Sequence, residues 1–252
     1  MSDEGGVAAV DRALSILEAL TDEKNSLADI SKRTGLYKST VLRLTKSLEK
    51  FGYVHRSEEG SYRLGSKVFH LGSIYQRHFN TGDLVPPVLR RIAEELKEGA
   101  SFYIGDGDKR VCLHRVDATR AVQDSVHEGD RLPLTVGAAG HVIRAFQGVR
   151  GEQYDEIRRE LFAASFGERD AETAAMACPV FSVNQRFLGV LSVSGPRYRL
   201  EALGVDRVKP VLFKHAKALT KTLGGDVDAL ELSAWSKAPA KAVAAKRRPK
   251  AT

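Results

Sequence analysis

The stretch ISKRTGLYKSTVLRLTKSLEKFGYV, residues 30 to 54, constrains the fold of this chain more than any other. Ser26 stands three residues before Asp29, close to a capping box, and opens a helix that places Leu27 and Ile30 inward. Gly35 falls where that helix must stop and the chain must turn, often with a positive φ that glycine adopts without a Cβ penalty. From Lys38 a second helix puts Val41, Leu44 and Leu48 on one side at i, i+3 and i+7. Ser39, Thr40, Arg43 and Lys46 lie largely elsewhere on that helix. The order is therefore helix, tight glycine turn, longer helix.

The flanking sequence extends this unit. Val10, Leu14, Leu17 and Leu20, with Ile16, form the apolar stripe of an amphipathic first helix over residues 7 to 20. After the longer helix, GYVHRSEEGSYRLG has hairpin patterning, with a turn over residues 57 to 60 closed by Gly60. Helix-turn-helix followed by a hairpin is the layout in which the second helix enters a DNA major groove and the hairpin forms a wing. Short hydroxyl side chains permit close approach, and an arginine bonds bidentately to guanine or phosphate. Tyr37, Lys38, Ser39, Thr40, Arg43 and Lys46 are the expected DNA-facing set, with Arg56 and Arg63 reaching phosphates from the wing. Isolated arginines of that kind are more often plain surface charge, and a small helical domain with a hairpin is the competing reading. Tyr37 stands where a small capping residue is usual, so the N-cap is weak or taken over by Ser39.

Global charge adds little to this. The net charge is +7, but Lys237, Lys241, Lys246, Arg247, Arg248 and Lys250 supply six of the cations in a terminal segment without an acid, leaving the remainder near neutral. That acid-free run, residues 237 to 252, ends a tail over 225–252 that is expected to be disordered, either a solvating tail or a weak phosphate-binding arm. With 42% hydrophobic residues and no apolar run of bilayer length, the chain has the composition of a soluble protein. The N-terminus lacks the pattern of a secretory signal, which points to a cytoplasmic address. Cys112 and Cys178 are far apart and read as reduced, buried thiols, and the seven histidines show no ligand spacing, so no metal or cofactor is implied.

A linker helix is expected over residues 66 to 80, with Val68, Leu71 and Tyr75 on its stripe and Phe69 nearby; Thr81-Gly82-Asp83 marks a domain boundary. Pro86 and Pro87 then open a helix running to about Glu98. Strands are expected at 101–104, 110–116, 122–126, 176–182 and 187–193, with helices at 140–147, 153–164 and 206–223. Strands mixed with flanking helices give an α+β domain with an antiparallel-rich sheet. Neither GAAGH at 137 to 141 nor GDG at 105 to 107 forms a nucleotide-binding motif, and Ser194-Gly195 lacks a nucleophile elbow. Binding without chemistry fits better. Gly137, Ala138, Ala139 and Gly140 sit at a loop-to-helix junction, where backbone N–H groups either receive an anion or simply allow close packing. Ser192 and Ser194, two apart on a strand, share a face and offer a polar anchor.

Taken together, VDRALSILEAL, LADISKRTGLYKSTVLRLTKSLEKFGYV, YRLGSKVFHLG, GDRLPLTVGAAGHVIRAF, GERDAETAAMACPVF and LGVLSVSGP resemble the IclR family of bacterial transcriptional regulators, from about Val10 into the 210s. The resemblance implies a winged helix-turn-helix domain with linker helix over residues 1–80 and a GAF-like effector-binding domain over 83–224. It further implies a non-enzymatic, ligand-responsive regulator, repressor or activator. The effector pocket would use positions matching Ala139, Gly140, Ser165, Ala175, Ser192 and Ser194, for a small organic acid, aromatic acids included. Some relatives carry a carboxylate or thiol near Ser165 and Ala175, whereas this chain has Ser and Ala. One winged helix covers too little DNA for tight binding, so a homodimer or dimer of dimers on a near-palindromic operator is expected. The rival readings are a metabolite-processing enzyme, or a thiol redox sensor, fused to a DNA-binding head. Arg43→Ala is expected to cost roughly 1 to 3 kcal/mol of operator affinity and to relax base preference; unchanged affinity in a fluorescence-anisotropy titration removes Arg43 from the recognition surface.

Overall fold

The computed structural model describes residues 6–21, 23–78 and 81–227, the side chains of 76–78 excepted. Phe79 and the basic segment from 228 onward, expected to be disordered, lie outside the described residues. The chain divides into two compact units, Met1–Phe79 and Asn80–Thr252.

In the first unit α1 (Ala8–Glu18), α2 (Leu27–Thr34) and α3 (Lys38–Lys50) precede a hairpin of β1 (Val54–Arg56) and β2 (Tyr62–Leu64), then α4 (Ser66–His78). The capping box at α2 is complete: Ser26 Oγ accepts from Asp29 N–H, and the Asp29 carboxylate accepts from Ser26 N–H. The Ser26 hydroxyl (2.6 Å) and then the Ser26 N–H, both donating to it, hold the Asp29 carboxyl below its usual range. Gly35 terminates α2 at φ 70°, the left-handed conformation its position requires. Ile16, Ile30, Val41, Val54 and Tyr62 make the buried core, with Leu17, Leu20, Leu36, Leu44 and Leu48 packed against it. The expected α1 stripe is corrected at its start: Val10 and Leu14 are each 53% exposed, because the core is reached only from Ile16 onward. On α4, Phe69, Leu71, Ile74 and Tyr75 are likewise exposed.

Asn25 locks this unit. It is fully buried, and its Nδ2 donates to the carbonyls of Thr21 (2.9 Å), Glu23 (2.7 Å) and Tyr62 (3.2 Å). Its Oδ1 accepts from Thr21 N–H and from the Arg33 guanidinium, while Tyr62 N–H donates to the Asn25 carbonyl. One amide thus ties the α1–α2 connection to α2 and to the hairpin.

The second unit is built on a six-stranded antiparallel sheet, β3 (Gly99–Asp106), β4 (Lys109–Val116), β5 (Arg131–Pro133), β6 (Ala163–Phe166), β7 (Thr173–Ser182) and β8 (Arg186–Pro196), in the order β5-β4-β3-β8-β7-β6. Consecutive positions of β3 and β8 are buried alike, so the sheet is covered on both faces. Helices α6 (Ala138–Phe146) and α7 (Glu152–Glu160) pack on the face carrying Tyr103, Ala177 and Val190. Helices α5 (Val85–Leu96) and α9 (Val205–Thr222) pack against the strands and each other, and α8 (Arg197–Leu203) follows β8.

Three expectations are corrected. Residues 122–126 are not a strand; an irregular segment carries them, and the edge strand falls at Arg131–Pro133 instead. Ala163 and Ala164 belong to β6 and not to the end of the preceding helix, which the left-handed Leu161 (φ 50°) closes. Helix α8 was not expected from the sequence, where Pro196 and Gly204 mask a seven-residue element. Asn25→Ala leaves the Tyr62 and Thr21 groups unpaired in the interior, and is expected to destabilise the first unit by about 2 to 4 kcal/mol in denaturant unfolding of the whole chain; a loss under about 0.5 kcal/mol would contradict the lock.

Candidate functional site

Helix α3 carries the residues expected to face DNA. Its apolar seam turns Val41 inward, fully buried, with Thr45 beside it bonded back to the Val41 carbonyl. Lys38, Ser39, Arg43 and Lys46 are exposed, and Thr40 is half-buried. Tyr37 is 86% exposed at the N-cap and makes no side-chain cap, and neither does Ser39 take over that role, so the first turn keeps N–H groups open to an external acceptor. On the hairpin, His55 pairs across from Arg63, and Arg56 lies 5.7 Å from the Tyr62 ring centroid; Arg56 and Arg63 are both exposed. The buried Thr45 was not expected.

In the second unit the pairing register lines up a row of small side chains across the sheet. Ser165 faces Ala175, Ala175 faces Ser194, and Ser194 faces Gly99; one step along, Ala177 faces Ser192 and Ser192 faces Ser101. Ser165, Ala175, Ser192 and Ser194 of this row are the floor of a cavity of about 30 Å³, and the first turn of α6, with Gly137, Ala138 and Ala139, is its wall. Of the expected effector positions, Ala139, Ser165, Ala175, Ser192 and Ser194 line the cavity. Gly140 does not: a Cβ there would sit 2.6 Å from the Leu134 carbonyl, so this glycine serves close packing. Cys178 alternates with Ala175 and Ala177 along β7 and so falls on the other face, fully buried.

The charged lining comes from Arg110, Asp124 and Arg169; the first two were not expected, and Glu168-Arg169-Asp170 reads from sequence as a pocket rim or, more readily, a surface ion network. Asp124 has a fully buried side chain. It receives the Arg115 guanidinium on one oxygen and the Ser194 hydroxyl (2.7 Å) on the other, with Arg169 at 3.6 Å. Arg115 also donates to Ser101 Oγ (3.0 Å), Ser194 Oγ (3.2 Å) and Asp117 (2.8 Å). It reaches them because Gly99 has no side chain; a Cβ there would overlap the guanidinium. Burial works against the Arg115 cation, but Asp124 and the bond to Asp117 more than offset it and raise its pKa. Ser192 donates to the Met176 carbonyl (3.2 Å), so both serine protons are committed to the protein and the hydroxyls face a ligand as acceptors. Burial pushes the Tyr103 phenol up to about 12, keeping it neutral. At the cavity rim Glu168 accepts from Gly137 N–H (2.9 Å) and pairs with His141 (2.6 Å); burial raises its carboxyl, yet these bonds hold it below its usual range.

This two-unit arrangement has relatives. The family description "IclR helix-turn-helix domain" matches residues 9–58, and "Bacterial transcriptional regulator IclR C-terminal" matches residues 151–221. The chain belongs to the IclR family. It is accordingly a DNA-binding transcriptional regulator, not an enzyme. The HTH-type transcriptional regulator XynR of Escherichia coli strain K12 is 26% identical over 246 residues, 86% of this chain and 98% of that protein. Among solved structures, the IclR of Thermotoga maritima superposes with a TM-score of 0.69 at 20% identity, covering 85% of this chain and 98% of that one. An IclR homolog of Microbacterium hydrocarbonoxydans complexed with 4-hydroxybenzoate gives 0.68 at 18% identity, with 86% and 99% covered. Both share the fold of this chain. No helix among the described residues is long and apolar enough to cross a membrane.

Both cysteines are fully buried; burial pushes Cys112 up to about 12 and Cys178 higher still. Thiolate chemistry at neutral pH is therefore suppressed. Native protein at pH 8 is expected to leave Ellman's reagent unreacted over minutes, with both thiols titrating only in guanidinium; a rapidly reacting thiol in the folded chain would restore the redox-sensor reading.

Proposed function

We propose that this IclR-family member is a cytoplasmic, ligand-responsive regulator whose second unit binds a small organic acid and thereby changes operator binding by the first. The observation that carries the reading is the cavity at the N-terminus of α6, lined by two guanidiniums and by serine hydroxyls, in a chain whose other unit exposes Ser39 and Arg43 on α3. Arginine and a helix N-terminus both favour negative charge. Arg115 and Arg169 pair with the Asp124 carboxylate and Arg110 lines the same cavity, so one further anion is electrostatically welcome. The family neighbour complexed with 4-hydroxybenzoate supports an acid as ligand. A space of about 30 Å³ holds roughly two water molecules. A short aliphatic acid fits with small adjustments, whereas an aromatic acid requires the segment carrying Asp124 to yield.

Tyr37, Lys38, Ser39, Thr40, Arg43 and Lys46 would read or grip the operator from α3, with Arg56 and Arg63 on flanking phosphates. Residues 1–80 form the DNA-binding domain and linker helix in this reading, and 83–224 the effector domain. A second copy of the chain fits the exposed Val10 and Leu14 of α1 and Phe69 and Ile74 of α4, since apolar side chains of that size in series call for cover. A dimer also presents two α3 helices to a near-palindromic site. Ligand acts by binding two arrangements of the heads unequally, with α4 as transmitter.

The test uses the full chain and an operator fragment selected from random DNA by the protein itself. Pyruvate or 4-hydroxybenzoate is expected to shift operator affinity about 5-fold or more at constant ionic strength. Ser165→Leu, which fills the cavity, is expected to remove the shift while leaving ligand-free affinity intact. A shift that survives in Ser165→Leu places the effector elsewhere.

A further inference from the structure

Arg110 departs from Arg115 and Arg199, whose side chains are also about nine-tenths buried or more. It is 4% exposed and lines the cavity, yet among the described residues it belongs to no ion pair. Arg115 has Asp124 and Asp117, and Arg199 has Glu98 at 2.8 Å. Arg110 has only neutral acceptors: its Nη1 donates to the carbonyls of Pro133 and Val136 (2.7 Å), and its Nε is buried with no hydrogen-bond partner. The Tyr103 ring, 5.5 Å from its guanidinium carbon, gives partial compensation. Burial chiefly, and the nearby Arg169, lower its pKa.

Its position sharpens the imbalance. Those two carbonyls fix the guanidinium against the entry to α6, where a Cβ on Gly137 would lie 3.1 Å from Nη2. A helix N-terminus carries partial positive charge, so a buried cation faces a positive dipole there. The two nearby carboxylates do not resolve this, because Asp124 is held by Arg115 and Ser194, and Glu168 by Gly137 N–H and His141. A buried charge without a counter-ion is among the costliest arrangements in a protein interior. Here it borders a cavity.

We propose that Arg110 is the anion receptor of this cavity: the carboxylate of the effector docks between its guanidinium and the first turn of α6, and supplies the missing counter-charge. The inference rests on the small-acid reading above and makes Arg110 the residue that selects carboxylates over neutral analogues. Arg169, also in the lining but already within 3.6 Å of Asp124, is a secondary contributor.

The experiment titrates the full chain by calorimetry with pyruvate, 4-hydroxybenzoate and 4-hydroxybenzamide at fixed ionic strength, for the wild type, Arg110→Lys and Arg110→Met. The wild type is expected to bind at least one carboxylate and not the amide. Arg110→Met should weaken that binding by about 30-fold or more, and Arg110→Lys, which keeps the charge but loses the fork, by roughly 10-fold. Should Arg110→Met fail to fold, the Lys variant decides: wild-type affinity there overturns the proposal. Equal carboxylate binding by the Met variant, or equal binding of acid and amide, overturns the Arg110 assignment while the small-acid reading stands. Absence of binding of either acid to the wild type overturns both.

Discussion

The buried pair of Asp124 and Arg115 organises the second unit. Without it, the irregular segment between β4 and β5 has no ladder to hold it, because residues 122–126 form no strand. The carboxylate enters the interior, takes Arg115 and Ser194, and so fixes that segment over the sheet. A pair of this kind gains little net stability against an apolar replacement, since desolvation offsets attraction. Its contribution is positional: it closes one end of the cavity with groups whose charges are already matched. Ser101, Ser194 and Asp117 complete the guanidinium's bonds, and Gly99 provides the room. Six residues from three stretches of the sequence therefore depend on one another.

The first unit solves a different problem with local means. Its helices are short, so propensity alone does not hold them. A capping box starts α2, a left-handed glycine ends it, and the Asn25 amide joins the turn to the wing. The outward face of α3 is consequently rigid while its polar side chains stay free for a partner.

Legibility in the sequence follows this contrast. The helices of the first unit were readable because their caps, turn and apolar spacing lie within a few residues of each other, as at Ser26, Asp29 and Gly35. Val10 and Leu14 misled, because periodicity shows which residues share a face but not how far the core extends beneath it. In the second unit, small residues at Ala139, Ser165, Ala175, Ser192 and Ser194 were found by pattern and resemblance, and they do come together in one cavity. Arg110 and Asp124 were not. No local pattern separates a buried arginine from an exposed one when its partners are backbone carbonyls more than twenty positions away, as Pro133 is from Arg110. The 122–126 segment looked like a strand through its valines, and the buried aspartate between them was the contrary signal.

The row of small side chains across β6, β7 and β8 has an evolutionary consequence. Each position meets its neighbour only through a side chain of one or two heavy atoms, while the backbone ladder beneath them pairs Ala163–Phe166 with Ala174–Ala177 and Thr173–Val180 with Gly189–Pro196. Exchanging a hydroxyl for a methyl, or lengthening one side chain, redraws the chamber without asking the strands to move. Under the proposed function, a lineage can therefore explore new ligands one substitution at a time at the positions outside the Asp124 network.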